Sequence, residues 1–152
     1  MFCINFLKKH RKGFTLPEML ISVLLLTIIA SMIIPSYRTF MIRNDLDIAV
    51  VTLTHNLRRA QSLSQASDGD MTWGVRVGVG SILIYKGASY VGRDSTYDEN
   101  TSIPTTIVPT GINEINFSKT LGIPNATGTF TLTSQINEAR TVTINEKGMV
   151  NY

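Results

Sequence analysis

Residues 8–34 read KKHRKGFTLPEMLISVLLLTIIASMII, and this stretch decides how the rest of the chain is organised. The basic residues at 8–12 stop abruptly, and an apolar run follows at 19–34, interrupted only by Ser22, Thr27 and Ser31. Glu18 stands at the head of that run, where a charge placed inside a bilayer costs roughly 2.5 kcal/mol or more. A carboxylate at this position therefore needs a partner or a function.

Two ordinary interpretations apply to residues 1–34. A cleaved secretory signal has an apolar core of ~7–15 residues, but this run is longer and no small-residue cleavage site ends it before Pro35. A plain anchor is the second interpretation, because the 21 residues 14–34 can span a ~30 Å hydrocarbon core. The preceding positive charge would hold the N-terminus in the cytoplasm. Neither interpretation explains Gly13, Phe14 and Glu18 together.

A basic leader, Gly13, the sequence Phe14-Thr15-Leu16-Pro17-Glu18 and an apolar run, in that order, resemble the start of a type IV prepilin. The resemblance implies that a prepilin peptidase cuts between Gly13 and Phe14 and that the new N-terminal Phe14 is N-methylated. It also implies that Glu18 pairs with the N-terminal amine of a neighbouring subunit in a filament. Pro17 departs from the usual family pattern, but proline is tolerated in a first helical turn, where its missing N–H would be unpaired.

The charge of the chain is concentrated in the same leader. Four of the 14 Lys and Arg residues precede Gly13, which leaves 10 against 11 Asp and Glu from Phe14 onward, a net charge of −1. The basic residues of the leader therefore indicate the orientation of a membrane segment and do not indicate a nucleic-acid-binding surface. The one cysteine, Cys3, also lies in the leader, which excludes an intramolecular disulfide and a cysteine-based metal cluster.

Helical periodicity continues past the apolar run. Pro35 predicts a kink, and in the resembled family a proline here marks flexibility of the filament core. Beyond it, apolar residues recur at spacings of three and four and predict a helix face packed on a core; they are Ile42, Leu46, Ala49, Leu53, Leu57 and Ala60. Ser67-Asp68-Gly69-Asp70 then breaks the pattern. We expect one helix over about 14–64, with a kink near Pro35.

The periodicity changes to two after Met71, which indicates half-buried strands. Strands are predicted at 71–79, 82–85, 106–108, 114–118, 129–133, 140–144 and 149–152, and residues 87–106 read as a long surface loop. Residues 145–148 predict a hairpin turn with Gly148 in the left-handed region. The fold class is therefore α+β, with a long N-terminal helix packed on an antiparallel sheet, and the resemblance implies a type IV pilin-like lollipop. We assign residues 1–13 to a prepilin leader, 14–35 to a transmembrane and filament-core helix, and 36–152 to a periplasmic or extracellular head.

Catalytic and metal-binding patterns are missing from the sequence. Both histidines precede the predicted strands, and no Gly-x-Ser-x-Gly, phosphate loop or paired-histidine motif occurs. Asp68 and Asp70 are too few for calcium and lack a 12-residue loop pattern. We expect no enzyme activity, no cofactor and no metal.

The order of parts in the head resembles the pseudopilin H and FimT-like branch of the pilin superfamily. The residues that carry this resemblance are the helix end at 60–62, the strand at 73–77 and the final hairpin at 140–150. The resemblance implies a minor subunit of a type IV pilus, a type II secretion pseudopilus or a competence system. Its partners would be prepilin peptidase, other pilin subunits and the bacterial inner membrane, crossed once with the N-terminus in the cytoplasm before assembly.

A second implied function is a tip-located subunit that binds DNA for uptake or a surface for adhesion. Some members of the branch bind DNA through a C-terminal Gly-Arg-x-Arg-like segment. Here the matching residues are Gly148-Met149-Val150-Asn151, with no arginine. That departure, together with the net charge of the mature chain, weakens the prediction of direct DNA capture.

Overall fold

The computed structural model describes residues 13–152, and for residues 32–36 it describes the backbone alone. The chain divides into two compact units, residues 1–38 and 39–152. One long helix, α1, runs over Leu16–Gln65, and a single 3₁₀ turn follows at Asp68–Asp70. The leader assigned to residues 1–13 lies outside the described residues except for Gly13.

Eight strands follow the helix and form two antiparallel sheets. Their bounds are β1 Trp73–Gly78, β2 Ser81–Lys86, β3 Asp94–Ser102, β4 Val108–Gly111, β5 Glu114–Phe117, β6 Gly128–Thr133, β7 Ala139–Ile144 and β8 Val150–Asn151. The first sheet has the strand order β3-β2-β1-β5, and the second has the order β4-β6-β7-β8. The chain thus uses antiparallel pairing throughout, which short hairpin connections allow.

A single buried cluster joins residues 39–65 of α1 to both sheets. Five of the six apolar residues predicted to form the helix stripe are fully buried in it, and they are Leu46, Ala49, Leu53, Leu57 and Ala60. Ile42, at the outer end of the stripe, is half-buried. The sheets contribute their inward-facing residues, such as Val75, Ile84 and Phe130. The predicted α+β architecture, a helix packed on antiparallel sheet, is confirmed.

The prediction of a surface loop over 87–106 is wrong for its second half. Residues 94–102 form β3, which pairs with β2 from Ser81↔Ser102 to Lys86↔Asp94. Most of this strand is exposed, so its sequence lacks the alternation of apolar and polar residues that identifies a half-buried strand. Contacts with residues outside the strand hold β3 in place instead. The Tyr97 ring centroid lies 4.0 Å from the Lys86 ammonium, and Glu99 accepts two hydrogen bonds of 2.8 Å from Arg59.

Other predicted elements agree with the structure within a few residues. The strand predicted at 106–108 lies instead at 108–111, because Ile107 is buried in the connection before it. Gly148 has the predicted left-handed backbone, with φ of 76°. The backbone remains helical through Pro35, whose side chain lies outside the described residues, and the kink there stays a prediction.

Candidate functional sites at the N-terminus and on the outer face of the first sheet

The start of α1 is capped by a hydrogen bond between Thr15 and Glu18. Thr15 precedes the first helical residue, and its carbonyl accepts the first helical hydrogen bond, from the Met19 N–H at 3.1 Å. The Glu18 carboxylate reaches back to accept the Thr15 backbone N–H at 3.5 Å. This hydrogen bond is one half of a capping box, and it satisfies a donor that a helix start would otherwise leave unpaired. Glu18 therefore has a role within its own chain, besides the predicted pairing with a neighbour.

Gly13 and Phe14 precede the helix and are exposed, as a segment offered to a peptidase must be. The hydrogen bond to Thr15 brings the Glu18 carboxylate to the residue directly after the predicted new N-terminus. Pro35 is not part of this arrangement, since it belongs to a later turn of the same helix. The structure thus brings Glu18 close to the predicted processing point and leaves Pro35 apart from it. The roles assigned to the four residues stay predictions.

The three polar side chains that interrupt the apolar run are satisfied by the helix itself. Ser22 donates to the Glu18 carbonyl at 2.8 Å, Thr27 to the Leu24 carbonyl at 2.8 Å, and Ser31 to the Ile28 carbonyl at 2.7 Å. A hydroxyl that bonds back to its own helix adds little polarity to the helix surface. These interruptions therefore do not conflict with an apolar environment around residues 16–31.

Apolar side chains are exposed on every side of this part of α1. Residues 13–31 are all exposed, and Phe14 and Leu16 retain 73% and 78% of their accessible surface. A continuous apolar surface of this kind is normally covered, by a membrane or by other protein chains. Within the described part of the chain, no helix has both the length and the apolar character needed to cross a membrane. The transmembrane assignment of residues 14–35 stays a prediction.

A second candidate site lies on the outer face of the first sheet, opposite the core. Alternation along β1 sends Val75 and Val77 inward and places Arg76 on the outer face. The strand register sets two rows of residues across that face. One row is Glu114, Arg76, Leu83 and Asn100, and the other is Asn116, Gly74 and Tyr85.

The connection between β2 and β3, residues 87–93, folds over the second of these rows. Asn116 donates to the Ala88 carbonyl, and the Tyr90 backbone N–H donates to Glu114 Oε1 at 2.8 Å. Gly74 is required beneath this connection, because a Cβ there would collide with the Tyr85 ring and the Asn116 side chain. The result is that Tyr85, although on the outer face, is fully buried.

Two arginines flank the ring of Tyr90. The guanidinium carbons of Arg76 and Arg93 each lie 4.0 Å from the ring centroid, a cation–π distance. Tyr90 also meets Tyr85 edge to face, with ring centroids 6.0 Å apart. Arg93 is held further by Asp98, whose two oxygens accept from Nε at 3.1 and 2.9 Å. We call Arg76, Tyr90 and Arg93 the Arg–Tyr–Arg cluster.

An open cavity of about 330 Å³ adjoins the Arg–Tyr–Arg cluster. Leu83 contributes the apolar part of its lining, and Gly78 leaves room beside Arg76 because it has no side chain. The polar part of the lining comes from Ser81, Asp98 and Asn100 in addition to the cluster. The cavity thus combines an aromatic ring, guanidinium donors and a small apolar surface, as small binding sites commonly do.

Because of Tyr85, we expect the stability of the head to depend on pH in the alkaline range. Burial, and then the 2.7 Å hydrogen bond donated to Glu114, raise the pKa of its hydroxyl far above the ordinary value near 10. The unfolded chain therefore ionises this hydroxyl first, so the stabilisation is complete below about pH 10 and falls as the pH rises further. We expect Tyr85→Phe to lose this part of the alkaline slope.

The measurement is the urea midpoint between about pH 8 and pH 11, followed through the fluorescence of Trp73, the one tryptophan of the chain. The matched control is Tyr97→Phe, at an exposed tyrosine, which should keep the wild-type slope. Identical slopes for wild type and Tyr85→Phe would contradict the assignment.

No motif or spacing in the sequence predicts the Arg–Tyr–Arg cluster. A signal was present, because Gly74 and Gly78 flank Arg76 at positions that alternation places on its own face. The sequence does not identify the partner of Arg59 either, because that partner lies 40 residues further along the chain. Arg59 lies before the last turn and forms an ion pair with Glu99 of β3. Among residues 13–152, no group of His, Cys, Asp and Glu is arranged to hold a metal ion.

Comparison with known proteins gives two findings. The family model described as the prokaryotic N-terminal methylation motif matches residues 8–34. The solved structure of the minor pseudopilin EpsH from the type 2 secretion system of Vibrio cholerae is similar in fold, with a TM-score of 0.52 and 12% sequence identity. The similarity covers 70% of this chain and 94% of that one. At this identity the likeness concerns the fold alone.

Proposed function

We propose that this chain is a structural subunit of the type IV pilin and pseudopilin family, and that it is a minor one; the N-terminal methylation motif and the fold support this proposal. In this proposal prepilin peptidase cuts between Gly13 and Phe14, and Phe14 becomes N-methylated. The apolar helix at 14–35 holds the precursor in the inner membrane, with its N-terminus in the cytoplasm. After cleavage the helix leaves the membrane and enters the core of a pilus or of a type II secretion pseudopilus.

The observation that carries this proposal is the chemistry of residues 13–31. An exposed Gly13-Phe14 bond precedes a capped helix that is apolar on all sides, and the helix satisfies its own hydroxyl groups. Such a surface is stable in lipid and equally stable among other helices of the same kind, so the subunit can move from one to the other. The similarity in fold to a minor pseudopilin supports the choice of a minor subunit.

Glu18 gives the proposed assembly its specificity. In lipid or among apolar helices a lone carboxylate is heavily disfavoured, whereas one paired with an amine is tolerated. Removal of the leader frees such an amine at Phe14. A subunit seated one step out of register would leave both charges unpaired, and we infer that this penalty sets the axial register of the filament.

The test of the proposal is mass spectrometry of the N-terminal peptide, from both the membrane fraction and material sheared from the cell surface. We expect the mature chain to begin at N-methylated Phe14 in both fractions. A Gly13→Val variant serves as the matched control, since a β-branched side chain at the cleavage position should leave the leader in place. A wild-type chain that begins at Met1, or one that begins near Ser36, would overturn the filament proposal.

A further inference from the structure

The two arginines of the Arg–Tyr–Arg cluster differ in how far the fold satisfies them. Arg93 donates to both oxygens of Asp98 and, at 2.9 Å, to the Tyr90 carbonyl. Within the described part of the chain, the Arg76 guanidinium makes no hydrogen bond, and its ion-pair contact is Glu114 Oε2 at 4.0 Å. Arg93 thus holds the connection in place, while the donors of Arg76 are left available.

Arg76 is nevertheless held in one position. Its guanidinium lies over the Tyr90 ring, and the Tyr90 backbone is fixed by its hydrogen bond to Glu114. A cation–π contact of this kind contributes roughly 0.5–1 kcal/mol at an exposed site. The side chain keeps 39% of its accessible surface and borders the cavity of about 330 Å³. A guanidinium that is oriented, accessible and not saturated is arranged to recognise an anion.

The charges around the cavity indicate which class of anion would bind there. Asp98 lines the cavity and Glu114 lies beside Arg76, so two carboxylates already balance the two guanidiniums. A doubly charged group such as phosphate would meet their repulsion at short range. A singly charged carboxylate matches the planar guanidinium and carries half that charge. Leu83 adds an apolar surface for the methylene groups of a glutamate-like side chain.

We propose that this cavity binds one carboxylate group through the Arg76 guanidinium, with the stem of the ligand against Leu83 and Tyr90. The group belongs either to an acidic side chain of another protein chain or to a small free carboxylate. Both present the same chemistry to Arg76. The proposal concerns the head alone and does not depend on processing at Gly13.

The binding test uses the full chain in detergent micelles and follows the Tyr90 backbone amide by NMR. The probe is N-acetyl-glutamate methylamide, and the matched neutral probe is N-acetyl-glutamine methylamide. We expect a saturable shift with the first probe and none with the second. Arg76→Gln should weaken binding by about tenfold or more, the loss expected for a charge-assisted bidentate contact. Arg58→Gln, at an exposed arginine of α1, should leave binding unchanged.

Arg76→Lys provides a second variant that keeps the charge and loses the planar donor pair, and we expect intermediate binding. Unchanged Trp73 fluorescence would show that each variant is folded. Inorganic phosphate added in place of the probe should shift the amide less than N-acetyl-glutamate methylamide does. Absence of a saturable shift, an equal response to the neutral probe, or full affinity in Arg76→Gln would overturn the proposal.

The source of the carboxylate is decided in cells by a photo-crosslinking amino acid placed at Ser81, which also lines the cavity. A crosslinked product of defined mass that disappears in Arg76→Gln would identify another protein chain as the donor. If the micelle experiment shows binding and no such product forms, the ligand is a free carboxylate.

Discussion

Replacing Glu18 with Ala or with Gln is expected to lower incorporation of the chain into filaments by about tenfold or more. The structure gives Glu18 one role, because its carboxylate caps the start of α1, and the proposed assembly gives it a second role as the negative charge in the apolar segment. Glutamine can still accept a hydrogen bond at this capping position, whereas alanine cannot. If the charge is what matters, both variants fail alike.

The quantity to compare is the ratio of sheared surface protein to membrane-associated protein, measured by quantitative mass spectrometry of head peptides. Both variants must first be shown to begin at Phe14, so that a defect in processing is not mistaken for one in assembly. Ser22→Ala is the control, since it removes a hydroxyl that bonds only to the helix backbone, and it should assemble normally. Normal assembly of Glu18→Gln would rule out charge pairing and leave capping as the function of this residue.

Leu53→Ala is expected to have the largest effect on the stability of the head, about 2–5 kcal/mol. Leu53 has no accessible surface and belongs to the cluster in which α1 and both sheets meet. Removing its side chain leaves a cavity among rigid strands that can close it only in part. Because the stripe of α1 is the surface shared by the two sheets, the loss should destabilise the unit as a whole.

Urea unfolding of the processed chain in mild detergent, followed by Trp73 fluorescence, measures this effect. Leu121→Ala is the matched control: it deletes the same atoms from a side chain that is 68% exposed and should change stability by less than about 0.5 kcal/mol. Similar losses for the two variants would mean that the buried cluster does not carry the stability of the head.

The sequence predicted those parts of the fold in which periodicity and burial coincide. The stripe from Leu46 to Ala60 follows helical spacing because one face meets the core, and the alternation in β1 and β2 follows from a sheet with one buried face. The same reasoning failed for β3. An edge strand exposed on both faces has no reason to alternate, and its stability comes from backbone pairing with β2 and from Arg59, which is distant in sequence.

The candidate sites divide in the same way. Gly13, Phe14 and Glu18 are adjacent in the chain, so a linear motif was enough to single them out. The Arg–Tyr–Arg cluster depends on the connection 87–93 folding back over β1, and that path is fixed by hydrogen bonds to Glu114 and Asn116 of another strand. Residues brought together in this manner have no common spacing in the sequence. The fold of the connection, held by these hydrogen bonds, is what brings them together.

The acidic character of β3 has a consequence for heads crowded together at high local concentration. An edge strand of nine residues offers a row of backbone groups onto which another chain could add, which is a common route to aggregation. Asp94 opposes that addition, because a second strand laid along this edge would remove water from its exposed carboxylate and offer no charged partner in exchange. β3, which the periodicity of the sequence does not predict, thus protects the head against aggregation along this edge.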